Sequence, residues 1–174
     1  MRLLANDPDR FQSAIIANTG LPTGDGPIPD AFMNWRKFSL EVEDFDVGSI
    51  VAMGCKTKLP EDVAVAYNAP FPDETYKEGA RILPSLVPIK PDNPSSDANR
   101  KAWEVLSTFS KPFLTSFSDG DPITGGGEHV FQKRVPGAKD QPHTTIEGGG
   151  HFLQEDCGKE FAEVVVNFIK LIQG

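Results

Sequence analysis

The sequence is poor in cysteine. Cys55 and Cys157 are its only two, far apart and in no C-x-x-C arrangement. That argues against a disulfide framework and the common zinc spacings, and leaves two ordinary thiols suited to a reducing, cytoplasmic compartment. The chain is also short of positive charge, with 17 Lys and Arg against 25 Asp and Glu and a net charge of −8. A nucleic-acid partner is therefore not expected, because phosphates are met by clustered Lys and Arg. No apolar run approaches the roughly 18 residues of a membrane span, so no membrane partner is expected. The opening MRLLANDPDRF carries charge where the apolar region of a signal peptide should continue, so none is expected. Only three His are present, without ligand spacing, and neither metal nor cofactor is expected.

What remains is a chain of 174 residues, 39% hydrophobic, without repeats or low-complexity tracts. That suits one globular unit or a large piece of one. Met1 to Asn6 reads as the end of a helix that Pro8 cannot continue. SAIIA, Ser13 to Ala17, is an apolar run of strand length. The Gly- and Pro-rich NTGLPTGDGPIPD that follows is a loop and a boundary. From about Asp30 to Ser110 the pattern is helical, with Asp73, Asp97 and Pro60–Glu61 suited to helix N-termini. Pro84 should end or kink its helix. Strand signals return at PFLTSF (Pro112 to Phe117) and, more weakly, at His143 to Ile146, with a helix between them. Phe161, Val164, Val165, Phe168, Ile169 and Ile172 share one face of a last helix. The order is strand, helical block, strand, helix, strand, helix. The class is α/β, with an all-helical insertion after the first strand. A parallel sheet normally has more than three strands and is covered on both faces. These three look like the end of a larger one.

Two stretches carry chemistry. SFSDGDPITGG follows the strand PFLTSF, and ligands in open α/β sheets bind at the carboxyl ends of strands. Asp121 stands there. EGGGHFLQED, Glu147 to Asp156, follows the next strand, and its glycines let the backbone bring His151 in tightly. Acid then histidine on successive strand ends is the order of the last two members of an α/β-hydrolase triad. In that design the acid orients an imidazole that acts as general base. Asp119 is the competing acid, and a plain turn is the competing explanation. His129 and His143 read as structural. The third member is missing. The only glycines four apart, Gly20 and Gly24, bracket Pro22, so no Ser, Asp or Cys sits in a nucleophile elbow.

Further stretches, together with these two, resemble the haloalkane dehalogenases, in the subfamily whose catalytic acid follows the seventh strand. They are DPDRF (Asp7 to Phe11), ANTGLPTGD (Ala17 to Asp25), FMNW (Phe32 to Trp35), YNAPFPDETYKEGAR (Tyr67 to Arg81), SDGDPITG and GGGHFLQED. The resemblance runs through essentially the whole chain. It implies a partial α/β-hydrolase fold: the last three strands of the parallel sheet with flanking helices, and an inserted all-helical cap. Residues 1–26 and 111–174 would be core and 27–110 cap.

The resemblance also implies roles. An aspartate in G-x-D-W-G-G would displace halide from carbon and form an alkyl ester. His151 would activate the water that hydrolyses the ester, and Asp121 would orient His151. Trp35 would be the cap's halide donor, since an indole offers one N–H and no acceptor. Read without the family, Trp35 is a packing aromatic, and Trp103 remains one in either case. Phe32, Leu83, Pro84, Val87 and Ile123 would line an apolar cavity for a small halogenated alkane, with water as co-substrate and halide as product. Asn18 falls where the other large subfamily places its acid, and its neutrality favours Asp121. The nucleophile would lie about eight residues before Met1, so the chain alone is expected to be inactive. Two alternatives stand beside this. An epoxide hydrolase would need cap tyrosines, and Tyr67 and Tyr76 are the only two tyrosines. A non-catalytic binding domain would need the edge of the first strand to be covered.

Overall fold

A computed structural model describes all residues, Met1–Gly174. Its helices are α1 (Arg2–Asn6), α2 (Asp30–Glu41), α3 (Val47–Gly54), α4 (Glu61–Asn68), α5 (Glu78–Ile82), α6 (Ser96–Leu106), α7 (Glu128–Arg134), α8 (Leu153–Asp156) and α9 (Gly158–Gln173). Its strands are β1 (Ala14–Ile16), β2 (Phe113–Ser118) and β3 (Thr144–Ile146). They form one parallel sheet in the order β1-β2-β3, with Ala14 opposite Phe113 and Ser116 opposite Thr144.

All six residues of the central strand β2 are buried. That is why FLTSFS lacks the polar alternation of a half-exposed strand. His143 braces the sheet. Its Nδ1 accepts the Thr115 amide at 3.1 Å and its Nε2 donates to the Ala138 carbonyl at 2.8 Å. His129 is exposed beside Glu128.

The core sits on one side of the sheet, where Trp103, Phe113 and Phe131 stack at ring separations of 5.0 and 6.1 Å, with Leu4, Leu106 and Phe109 around them. Helix α6 supplies two of these residues. It also holds the loop after β1, through Asn99 Nδ2 to the Pro22 carbonyl at 2.6 Å and the Trp103 indole N–H to the Leu21 carbonyl at 2.8 Å. Trp103 and Leu106 are spaced to bury one face of α6, and that face packs into the cluster with Leu4, Phe113 and Phe131.

Helices α2 to α5 lie in the insertion between β1 and β2. Asp46 caps α3, accepting the Ser49 amide at 3.1 Å and hydroxyl at 2.7 Å, and reaches Asn68 of α4 at 2.7 Å. Those bonds, led by Asn68, hold its carboxyl down to about 2. Pro84 ends its helix as expected: after Ile82 the chain tightens into a 3₁₀ turn, Leu83–Leu86. On α9, Phe168 is fully inside while Ile169, expected on the same face, is exposed. Three strands give a 16-residue helix little surface to cover.

Candidate active site

Asp121 follows β2 by three residues and His151 follows β3 by five. His151 Nδ1 and Asp121 Oδ2 are 3.0 Å apart. The Asp121 side chain is fully buried and that of His151 is partly exposed. Two other groups hold the carboxylate: the Ile123 amide donates to Oδ1 at 2.8 Å, and the Thr124 hydroxyl donates to Oδ2. Burial pushes the Asp121 carboxyl up, but the hydrogen bonds from His151, Thr124 and Ile123 together outweigh it and hold it below its ordinary value. An ionised carboxylate makes Nδ1 the donor, so Nε2 is the free ring nitrogen. Asp119, the competing acid, is directed elsewhere. It accepts the Gly148 amide at 3.0 Å and pairs with Lys56 at 3.3 Å, near the surface.

A cavity of about 650 Å³ lies between cap and sheet, and Phe32, Trp35, Val87, Ile123 and His151 all line it. Helix α2 brings Phe32 and Trp35 to it. The Trp35 ring packs 6.0 Å from both Phe38 and Phe45. Arg81 lies over the Phe45 ring, its guanidinium 4.9 Å from the centroid. Trp103 also reaches the cavity, but its indole N–H is taken by Leu21. Leu83 and Pro84 do not line this cavity, contrary to expectation. Leu83 is 61% exposed and Pro84 is buried in the turn, because the 3₁₀ turn swings the chain before Val87 returns to the cavity. No group of three His, Cys, Asp or Glu side chains is placed to hold a metal.

Asn18 has a larger part than its neutral side chain suggested. It sits at φ 35°, a backbone region that Asn tolerates. Its Oδ1 accepts the Ser118 amide at 2.9 Å. Its Nδ2 contacts Ser118 Oγ at 2.9 Å and the Gly150 and His151 carbonyls at 2.8 and 3.0 Å. One amide thus joins the ends of β1 and β2 to the loop of the histidine. In the sequence, Asn18 stands out only as a polar residue after a strand, at the position where the other large subfamily places its acid.

Three parallel strands, acid and base after the second and third, and a helical insertion after the first define part of an α/β-hydrolase with a cap. Solved structures agree. A haloalkane dehalogenase from Paraglaciecola agarilytica NO2 superposes with a TM-score of 0.79 at 27% identity, over 94% of this chain and 54% of that one. The DBJA structure gives a TM-score of 0.77 at 18% identity over 99% of this chain, a likeness of fold alone. No family model matches the chain. In sequence it is 54% identical to the haloalkane dehalogenase of Psychrobacter cryohalolentis over 169 residues, and 42% identical to that of Mycobacterium marinum over 168. Each match takes in 97% of this chain, which is thus a homologue of the haloalkane dehalogenases. The chain spans 56% of the length of each of these two curated relatives.

Proposed function

We propose that these residues supply the base, the orienting acid and the cap halide donor of a haloalkane dehalogenase. The observation that carries the reading is that the His151–Asp121 pair and the Trp35 indole meet one largely apolar cavity. In the reaction a carboxylate nucleophile attacks the carbon bearing the halogen. The carbon–halogen bond breaks, the halide leaves with the electron pair, and an alkyl ester remains. Trp35 donates to the halide as its charge develops. His151 Nε2 then takes a proton from water, the resulting hydroxide adds to the ester carbonyl, and the acyl–oxygen bond breaks. The departing alkoxide takes a proton from the His151 imidazolium and leaves as an alcohol, and the freed carboxyl loses its proton to solvent to restore the carboxylate. Asp121 stabilises the imidazolium meanwhile. No residue of these 174 stands in a nucleophile elbow, so the carboxylate comes from residues other than these, and the chain by itself turns over no substrate.

The substrate class is a small apolar halogenated alkane, which suits a cavity lined by Phe32, Val87 and Ile123. Burial pushes both cysteine thiols up, Cys55 to about 11 with help from Asp156 and Glu155, and this supports a cytoplasmic setting with unreactive thiols. No helix is long and apolar enough to cross a membrane. The epoxide hydrolase reading loses support because neither tyrosine lines the cavity. The Tyr67 hydroxyl donates to Glu155 at 2.5 Å and Tyr76 is 63% exposed.

The test joins this chain behind the part of the Psychrobacter cryohalolentis relative that it does not match. Halide release from 1-bromobutane is then measured. The joined protein should release bromide, and Trp35→Phe and Asp121→Asn should each lower kcat/KM by about a hundredfold or more. A folded, joined protein without halide release would refute the reading.

A further inference from the structure

The stretch that carries His151 ends in two acids that the acid–base pair does not use. Asp156 stands on the single turn of α8, which folds it back over the loop it follows. Its Oδ2 accepts the Gly150 amide at 2.7 Å and the Lys56 amide at 2.8 Å. Its Oδ1 accepts the Thr57 amide at 2.8 Å and the Thr57 hydroxyl at 2.5 Å. One carboxylate thus holds both the residue before His151 and the cap segment that leaves α3. The cap returns a contact of its own, since the Gly54 carbonyl accepts the amides of His151 at 2.8 Å and Phe152 at 3.4 Å. The two backbones touch so closely that a Cβ on Gly150 would collide with the Gly54 carbonyl. Hydrogen bonds to an ionised carboxylate are stronger than neutral ones. Burial pushes the Asp156 carboxyl up, but the bonds from Thr57, Lys56 and Gly150 outweigh it and hold it low. Two outer contacts flank the seam, Lys56 to Asp119 at 3.3 Å and Tyr67 to Glu155 at 2.5 Å. The first is half-exposed and contributes little.

We propose that Asp156 is a positioning residue for His151. It couples the loop of the histidine to the cap segment 54–57, so the imidazole keeps its aim at Asp121 only while that segment is docked. The latch rests on the reading of His151 as the general base, but its test involves no turnover. The two can therefore fail separately.

The experiment combines native-state amide exchange with ¹⁵N spectra of the His151 ring, on the 174-residue chain and on its Asp156→Asn and Asp119→Asn variants. In the unaltered chain the Lys56, Thr57, Gly150 and His151 amides should exchange through one shared opening and respond together to low urea. Asp156→Asn should speed all four by about tenfold or more and move the ring away from the Nδ1–H tautomer that Asp121 selects. Asp119→Asn should leave the tautomer unchanged. The proposal is overturned if Asp156→Asn frees only Lys56 and Thr57 with the ring unaltered. It is equally overturned if the cap and His151 amides of the unaltered chain open independently, which settles the matter even should the Asn variant not fold.

Discussion

Asp121 Oδ2 and His151 Nδ1 lie 3.0 Å apart although 30 residues separate them, and the carboxylate is sealed from solvent while the imidazole is not. This pair makes acid sensitivity a readout of the site. A carboxyl held below its unfolded value of about 3.9 contributes its full stability above that pH and loses it as pH falls through the folded value. The folded chain should therefore lose stability below about pH 4. Asp46, Asp156 and Glu74 are held low as well, so the loss is shared. Asp121→Asn should make the decline of Tm between about pH 4 and pH 2 shallower. An unaltered slope would mean that Asp121 is not held low in the folded chain.

The two tryptophans differ in what their indole N–H groups do. Trp103 is buried and bonded to Leu21, and Trp35 faces the cavity. Iodide should therefore quench Trp35 fluorescence in preference to Trp103. The Trp35→Phe variant should lose most of the iodide response and Trp103→Phe should keep it. Neutral acrylamide serves as the control for simple exposure. If iodide and acrylamide quench Trp35 alike, the indole is merely accessible and not a halide donor.

Asn18 joins the ends of β1, β2 and the histidine loop through one half-buried amide. Asn18→Ala leaves the Ser118 amide and the Gly150 and His151 carbonyls to find other partners. At about 1 kcal/mol or more for each bond lost, it should cost about 2–3 kcal/mol. Urea unfolding of the variant checks this, and a loss under about 0.5 kcal/mol, ordinary for a surface substitution, would contradict it.

Phe131 is stacked between Trp103 and Phe113 and almost wholly buried. Phe131→Ala should cost about 3–5 kcal/mol. Because Arg134 also lies over the Trp103 ring at 4.0 Å, the variant should alter Trp103 emission as well. A loss of stability with unchanged Trp103 emission would argue against the stack.

Elements and site were not equally legible in the sequence. Strands follow from hydrophobic spacing, and each lies within a residue of where the pattern places it. Asp121 and His151 could be paired because both follow strands, and strand order fixes which ends are neighbours. Helix α6 was harder. Its apolar face is plain, but periodicity says that a face is buried and not against what. Leu83 and Pro84 failed for a similar reason, since a 3₁₀ turn changes where successive side chains point. Asn18 and Asp156 act through backbone amides and carbonyls, which every residue type carries, so no side-chain pattern announces their partners.

The central claim is that His151 is the base that hydrolyses an alkyl ester. The most direct measurement is the intact mass of the joined protein bearing His151→Gln, after exposure to 1-bromobutane. The account predicts a stable mass gain of one butyl group for each protein, with one bromide released and no further turnover, while the unaltered protein turns over and retains no butyl group. Continued turnover by the variant, or bromide release by neither protein, would contradict it.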